Sequence, residues 1–188
     1  SAQLAHPTGV AVDNQGNLHI ADNENNRIRK VNASKVISTV AGNGGANYGG
    51  DGGPATSAMI KNPFDMAFDS LGNMFILDYL NQRIRKVSTN GTISTIIGNG
   101  YAAYSGDGGS ATQGQIKYTT RIAIDASNNL YFDSLDNNNV SRVRKINTAG
   151  IVSTIVGSGP AGDTGDGTPG SSARINSIAG LAYSGSNL

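Results

Sequence analysis

Short apolar runs rich in Val and Ile alternate with polar turns along the whole chain, and Gly, Asn, Asp or Pro bound each run. Runs of four to eight residues with these boundaries are typical of β-strands, whereas an amphipathic helix needs a longer stretch with a 3.6-residue period. In the N-terminal part the pattern predicts four strands, at residues 9–12, 18–21, 27–31 and 37–41. The pattern therefore predicts an all-β fold.

The pattern occurs three times. Residues 13–17 (Asp-Asn-Gln-Gly-Asn) recur as 69–73 (Asp-Ser-Leu-Gly-Asn), 56 positions later. A fixed period of this size indicates a repeat architecture, and four antiparallel strands per repeat make a propeller blade. We therefore expect three four-stranded antiparallel blades and the first strand of a fourth, with these bounds: blade 1 at residues 1–56, blade 2 at 57–112, blade 3 at 113–171 and the extra strand at 172–188.

Four segments of the first unit carry a recognisable pattern: Gly9-Val10-Ala11-Val12-Asp13, residues 16–22 (Gly-Asn-Leu-His-Ile-Ala-Asp), Asn26-Arg27-Ile28 and residues 38–42. In these segments the units resemble NHL repeats. The second copy departs little. In the third, Asp133 is out of register with Asp78, and Ser141 instead of Asn precedes Arg142.

The linker at residues 50–58 (Gly-Asp-Gly-Gly-Pro-Ala-Thr-Ser-Ala) resembles a variant found in bacterial and protist secreted proteins and in teneurin-type ectodomains. The resemblance implies an NHL-type β-propeller, and hence that this chain is part of a six-bladed ring. Three blades and one strand leave open strand edges and blade faces, which favour association. We expect further blades of a longer chain, or identical or unlike subunits, to cover them.

The composition restricts the kinds of functional site that this chain can form. The chain of 188 residues has no Cys, which excludes disulfides and thiolate sites, and 14 Lys and Arg against 13 Asp and Glu give a net charge of +1. An RNA-binding propeller usually carries a basic excess, so this alternative is disfavoured. A metal-dependent lyase or lactonase-like enzyme needs converging ligands, which could lie only in blades outside this chain. We predict no catalytic residue, no metal ligand and no cofactor.

Three Gly-Asp-Gly loops are long enough to suggest a function. We interpret them as a polar and aromatic rim that binds protein or glycan, through Tyr48, Asp51, Tyr101, Tyr104, Asp107 and Asp166. The structural alternative is that each Asp caps a glycine turn and that residues 54–58 form a helical turn that spaces the blades. Calcium binding would require several loops to converge, because one carboxylate is too few.

We interpret other polar residues as structural contacts or as glycosylation sites. We expect charge pairs between the strands, Arg27 with Asp22 and Arg83 with Asp78. His19 occupies the strand position of Phe75 and Tyr131 and is predicted to replace a core ring. Glycosylation sequons begin at Asn32, Asn90 and Asn139. The sequence thus favours a non-enzymatic extracellular or cell-surface scaffold or interaction module that adheres to partners or assembles, for example into a filament.

Overall fold

The computed structural model describes residues 2–157 and 160–183. These residues form twelve β-strands and four 3-10 turns, and no α-helix occurs among them. The strands are β1 (Pro7–Val12), β2 (Leu18–Asp22), β3 (Arg27–Val31), β4 (Ile37–Ala41), β5 (Pro63–Phe68), β6 (Met74–Asp78), β7 (Arg83–Val87), β8 (Ile93–Ile97), β9 (Ile122–Ile124), β10 (Leu130–Leu135), β11 (Ser141–Ile146) and β12 (Val152–Val156). The all-β prediction is confirmed.

The strands form three antiparallel sheets of four, in the orders β1-β2-β3-β4, β5-β6-β7-β8 and β9-β10-β11-β12. Each sheet is a meander and therefore has the topology of a propeller blade. The chain divides into two compact units, Ser1–Ile96 and Ile97–Leu188. The first unit contains blades 1 and 2 apart from the last residue of β8, and the second contains blade 3.

The turn between the first two strands shows why each blade forms locally. In blade 1 one carboxylate oxygen of Asp13 accepts hydrogen bonds from the backbone N–H groups of Gln15 and Asn17, both at 2.9 Å. Gly16 has a φ of 80°, a left-handed conformation that glycine adopts without strain. Burial favours the neutral acid, but hydrogen bonds from Asn17 and His19 outweigh it and hold the pKa of Asp13 far below its usual range.

Apolar residues of the strands and of the segment before β5 form the core of the first unit. In the first unit Ile28 and Ile60 pack in one cluster with Ile76 and Ile93, and all four are completely buried. All five residues of β6 are buried, so this strand has apolar contacts on both faces. A completely buried Ile contributes about 1.5–3 kcal/mol relative to an exposed one. Burial on both faces also explains why the apolar residues of these strands do not simply alternate with polar ones.

The predicted first strand of a fourth blade is not formed in the described residues. Residues 175–183 contain no strand, and Ala179 is held by a hydrogen bond that its carbonyl accepts from Arg121 Nε at 2.8 Å. A strand needs a neighbour for its backbone hydrogen bonds, and no described segment pairs with these residues. The remainder of the predicted strand, residues 184–188, lies outside the described residues.

Candidate functional site

The long loop that follows blade 1 is joined to blade 2 by an ion pair between Asp51 and the completely buried Arg85. One oxygen of Asp51 accepts hydrogen bonds from Arg85 Nε at 3.0 Å and Nη2 at 2.6 Å, and the other accepts the backbone N–H of Thr95 at 3.0 Å. Arg85 is completely buried and also contacts Asp78, at 3.2 Å. We call residues 48–58, which carry Asp51, the first latch, because they connect one repeat to the next.

The first latch also extends the sheet of blade 2. Gly52 N–H donates to the carbonyl of Ile93 at 2.8 Å, and Ile93 N–H donates to the carbonyl of Gly53 at 3.0 Å. The latch therefore runs along the edge of β8 and covers Ile93 completely. Tyr48 closes the arrangement: its hydroxyl donates to Asp51 at 2.8 Å, and its ring lies 3.6 Å from the guanidinium carbon of Arg83.

The next repeat builds a second latch, residues 104–114, against blade 3. Asp107 accepts hydrogen bonds from Arg144 Nε at 3.1 Å and Nη2 at 2.7 Å, and from Thr154 N–H at 3.0 Å. Tyr104 hydrogen-bonds both Asp107 and the Thr154 hydroxyl. At the edge of this blade Gly108 N–H donates to the carbonyl of Val152 at 2.8 Å, and Val152 N–H donates to the carbonyl of Gly109 at 3.0 Å. Two independent repeats thus use the same residue types for the same contact.

The electrostatics of the latches follow from these contacts. Burial raises the pKa of the Asp51 carboxyl, but hydrogen bonds from Thr95 and Tyr48 and the charge of Arg85 outweigh it, and the net pKa is lowered. The pKa of Asp107 is lowered by the corresponding group of contacts. Both latches therefore hold a carboxylate anion against a buried guanidinium, a charge-assisted contact that is stronger than a neutral hydrogen bond.

The structure assigns the residues of the predicted rim to different environments. Four of them make contacts inside the chain as parts of the latches: Tyr48, Asp51, Tyr104 and Asp107. Tyr101 is exposed. Asp166 is also exposed, and no hydrogen bond or ion pair joins it to another described residue. Binding by the loops thus remains a proposal, and the carboxylates of both latches are already engaged.

The predicted charge pairs are wrong in one respect: the carboxylates face the second Arg of each Arg-x-Arg strand. Asp78 contacts Arg85 instead of Arg83, and Asp22 lies 4.0 Å from Arg29. Asp22 and Arg27 are cross-strand neighbours in register, but Arg27 donates to backbone carbonyls of the loops instead. In blade 2 Arg85 is completely buried and Arg83 only partly, so Arg85 depends more on a carboxylate for compensation.

Sequence reasoning missed the latch arginines, Arg85 and Arg144, as partners of the loop aspartates. The available signal was their order in the sequence: the first two Gly-Asp-Gly loops each precede the Arg-x-Arg-Lys strand of the next unit. The interpretation of His19 fits the structure, since His19, Phe75 and Tyr131 each face the third-strand Lys of their own blade. Its Nε2 lies 2.9 Å from Asp13, and its ring contacts Phe68 edge-on.

A cleft in the first unit lies where the turns of blades 1 and 2 meet. Its volume is about 410 Å³. Leu71 at its margin is 72% exposed although it is a large apolar residue. We call this the turn cleft, lined by Asp13, Asn14, Gln15, His19, Lys30, Phe68, Leu71, Gly72, Met74, Val87, Ser88, Thr89 and Gly91. It combines an apolar floor with amides, hydroxyls and charges of both signs.

The three sequon asparagines are exposed. Asn32 and Asn90 lie in the turns between the third and fourth strands of blades 1 and 2, and Asn139 lies in the turn between β10 and β11. The side chains of Asn32 and Asn90 accept local backbone hydrogen bonds from Val36 and Thr92. Glycan attachment stays a prediction.

The alternatives of nucleic-acid binding and metal-dependent catalysis can be compared with this geometry. Arg85 and Arg144 are completely buried in the latches, so they present no charge to a phosphate backbone. Lys86 and Lys145 lie near the rings of Phe75 and Tyr131. Among residues 2–157 and 160–183 no three His, Cys, Asp or Glu side chains lie close enough together to hold a metal ion. That same part of the chain has no helix of the length and apolarity that crossing a bilayer requires.

Comparison with known proteins agrees with the repeat geometry. Residues 4–31 match the NHL repeat family. Teneurin-1 of Gallus gallus is 30% identical over 81% of this chain, and teneurin-3 of Mus musculus is 27% identical over 83%. The chain spans only 6% of the length of each of these relatives. The chloroplastic protein SUPPRESSOR OF QUENCHING 1 of Arabidopsis thaliana is 32% identical over 46% of this chain. The match covers 8% of the length of that protein.

Solved structures share the fold at low sequence identity. A Bacteroides thetaiotaomicron protein of unknown function matches 94% of this chain with a TM-score of 0.72 and 15% identity, and the match covers 42% of that protein. An auxiliary nutrient binding protein from the same organism matches with a TM-score of 0.65 and 14% identity, over 94% of this chain and 42% of its own. A gluconolactonase from Xanthomonas campestris matches with a TM-score of 0.59 and 11% identity, over 82% of this chain and 48% of its own.

The repeats, the four-stranded blades and these matches define a β-propeller protein. More specifically, the chain belongs to the NHL-repeat β-propeller proteins. At identities of 11–15%, the solved structures show the fold of this chain alone. Because such folds host unrelated activities, a more specific function must be argued from the surface of this chain.

Proposed function

We propose that this chain is a non-enzymatic interaction module of an extracellular or cell-surface protein, and that it binds a protein partner through the turn cleft. The observation that carries the proposal is the exposed Leu71 at the margin of a cleft with polar and charged walls. Protein interfaces combine an apolar centre with a polar rim in this way. The extracellular setting is supported by the similarity to teneurins.

The chemistry of the cleft suits side chains of a protein loop. Phe68, Met74 and Val87 supply apolar contact, and Lys30 supplies a positive charge near the Asp13 carboxylate. A volume of about 410 Å³ admits one or two side chains of a partner. The latches, by contrast, have committed their carboxylates to Arg85 and Arg144 and are less available to a partner.

The test is binding of the fluorescently labelled chain to intact cells, with Leu71→Asp as the variant. We expect the charge at the cleft margin to reduce binding at least tenfold, since the partner would have to bury a hydrated carboxylate where it now covers the apolar Leu71. Leu80→Asp is the matched control, because Leu80 is also an exposed leucine of blade 2 but does not line the cleft. Equal binding by both variants would refute the role of the cleft.

Treatment of the cells identifies the class of the partner. If the partner is a protein, mild protease treatment of the cells abolishes binding and glycosidase treatment leaves it unchanged. The opposite pattern would replace the protein partner by a glycan, and the proposal of a protein-binding module would be wrong.

A further inference from the structure

Three Asn-Gly pairs lie in the loops and turns between the strands: Asn43-Gly44, Asn90-Gly91 and Asn99-Gly100. In such a pair the backbone nitrogen of the glycine can attack the side-chain carbonyl carbon of the asparagine, because glycine has no side chain that hinders the approach. All three asparagines are exposed. The sequence therefore contains three candidate sites for loss of a side-chain amide, and their contacts in the fold distinguish them.

The side chain of each asparagine is folded over the peptide bond that follows it. Asn99 Oδ1 accepts a hydrogen bond from the backbone N–H of Tyr101 at 3.2 Å. Asn43 and Asn90 accept the same bond from the second residue after them, at 2.8 and 3.0 Å. This turn brings the side-chain carbonyl carbon close to the intervening glycine nitrogen. Proximity of the reacting atoms therefore does not distinguish the three sites.

At Asn90 the attacking nitrogen is already engaged. Gly91 N–H donates to the carbonyl of Ser88 at 2.8 Å, and the Ser88 hydroxyl donates to Asn90 Oδ1 at 2.6 Å. The carbonyl of Gly91 also accepts the N–H of Ala55 in the first latch, at 2.8 Å. Attack by the Gly91 nitrogen would therefore break the turn and disturb its contact with the latch.

At Asn43 the amide that would leave is engaged instead. Its Nδ2 donates to the carbonyl of Ser57 at 3.1 Å, and its backbone carbonyl accepts a hydrogen bond from Arg27 Nη2 at 3.0 Å. The ring that forms on attack includes both the backbone and the side-chain carbonyl carbons of the asparagine. Ring closure at Asn43 therefore has to displace atoms that these two contacts hold in place.

Asn99 has neither restraint. Among the described residues, Gly100 N–H has no hydrogen-bond acceptor and neither does Asn99 Nδ2. Asn99 Oδ1 accepts a second hydrogen bond, from Gln115 Nε2 at 3.3 Å. Two donors on this oxygen polarise the carbonyl and stabilise the oxyanion that forms when a nitrogen attacks the carbon. An unengaged nucleophile, an unengaged leaving group and a polarised carbonyl thus meet at Asn99-Gly100.

We propose that Asn99 is a site of spontaneous deamidation. The backbone nitrogen of Gly100 forms a bond to Cγ of Asn99 and gives its proton to water, while the Cγ–Nδ2 bond breaks and Nδ2 takes up a proton and leaves as ammonia. Water then opens the five-membered imide at either carbonyl, which leaves aspartate or isoaspartate at position 99. The balance is one water consumed and one ammonia released.

The product changes the charge of the chain and the segment that leads into the second latch. The number of acidic residues rises to that of the basic residues, 14, so the formal net charge falls from +1 to zero. In the aspartate product the carboxylate keeps Tyr101 N–H and Gln115 Nε2 as donors, and charge strengthens both hydrogen bonds. The isoaspartate product instead adds one methylene to the backbone at position 99.

Incubation of the purified chain at about pH 8 and 37 °C for about two weeks, followed by peptide mass spectrometry, tests the proposal. Deamidation raises the mass of a peptide by about 1 Da. We expect Asn99 to react at least about fivefold faster than Asn43 or Asn90, a ratio that corresponds to about 1 kcal/mol, the contribution of one hydrogen bond. Ion-exchange chromatography should show a more acidic species, and Asn99→Gln should remove it.

Three synthetic peptides, residues 40–47, 87–94 and 96–103, are the matched controls, because they keep each Asn-Gly pair but lose the fold. We expect their deamidation rates to agree within about twofold, so that the order in the folded chain reflects its contacts. The proposal would be overturned if Asn43 or Asn90 reacted as fast as Asn99 in the folded chain, or if Asn99 stayed intact there. Peptides that showed the same fivefold order would equally contradict it, since local sequence would then explain the difference.

Discussion

The first latch offers the most direct test of what holds consecutive repeats together. Asp51→Asn keeps the size of the side chain but removes its charge and replaces one acceptor oxygen by a donor. Arg85 then donates to a neutral amide oxygen instead of a carboxylate. The amide nitrogen also places a donor near the N–H of Thr95 or the hydroxyl of Tyr48. We therefore expect loss of stability in the first unit without loss of the blades themselves.

The magnitude follows from the contacts. Hydrogen bonds to charged groups contribute about 1.5–3 kcal/mol and neutral ones about 1, so the change at Arg85 costs about 1–2 kcal/mol, and the mismatch at Thr95 costs about another 1–2. The total of about 2–4 kcal/mol approaches the cost of breaking a buried ion pair, because Arg85 is completely buried. The expected loss stays below the full cost of breaking a buried ion pair, since Asp78 continues to compensate the charge of Arg85.

Urea unfolding at about 1 µM protein, followed by circular dichroism, measures this loss. With a slope of about 2 kcal/mol/M, the expected loss lowers the midpoint by about 1–2 M. Asp107→Asn should give a similar shift, because Asp107 makes the same contacts with Arg144 and Thr154. Asp166→Asn is the matched control and should change stability by less than about 0.5 kcal/mol, since Asp166 has no partner among the described residues.

Two results would refute this reasoning. If Asp51→Asn were as stable as the unchanged chain, the ion pair would contribute nothing and the latch would depend on its backbone hydrogen bonds alone. If Asp166→Asn were as destabilising as Asp51→Asn in dilute solution, the loss would reflect the Gly-Asp-Gly turn itself rather than the contact with the next blade.

Three further outcomes are expected. Because folding lowers the pKa of Asp51, its contribution is complete above the ordinary value of 3.8 and is lost as the pH falls through the folded pKa, so the stability difference from Asp51→Asn should shrink below about pH 4 in urea titrations. Gly42→Ala should lower the melting temperature more than Gly52→Ala: both have positive φ, but the new methyl group would lie 2.3 Å from the Asn26 carbonyl at position 42 and in open space at position 52. Expression through a eukaryotic secretory pathway should add glycan at Asn32, and Asn32→Gln should remove that mass; an intact mass unchanged by an N-glycosidase would contradict this.

The sequence alone was sufficient to predict the turns and strands, whose interacting groups lie close together in the chain. The hairpin turn at Asp13 depends on a carboxylate, a glycine and an asparagine within five residues, and it recurs wherever that pattern recurs. Strand length and bounds follow from short apolar runs between such turns, and the repeat of 56 residues then determines that every unit forms the same meander. For these features the interacting groups lie close together in the chain, so the pattern contains the interaction.

Only the tertiary structure decided which polar groups meet across repeats. Asp51 and Arg85 are 34 residues apart, and the sequence pattern presented Asp51 as a loop residue and predicted Arg83, not Arg85, as the partner of Asp78. The choice depends on which Arg is buried and which loop lies along the edge of β8, and neither property is local. The same holds for the buried Nε of Arg29, which has no hydrogen-bond partner among the described residues, and for residues 175–183, which form no strand. A side chain or strand acquires its role from the neighbour that covers it, and that neighbour is distant in sequence.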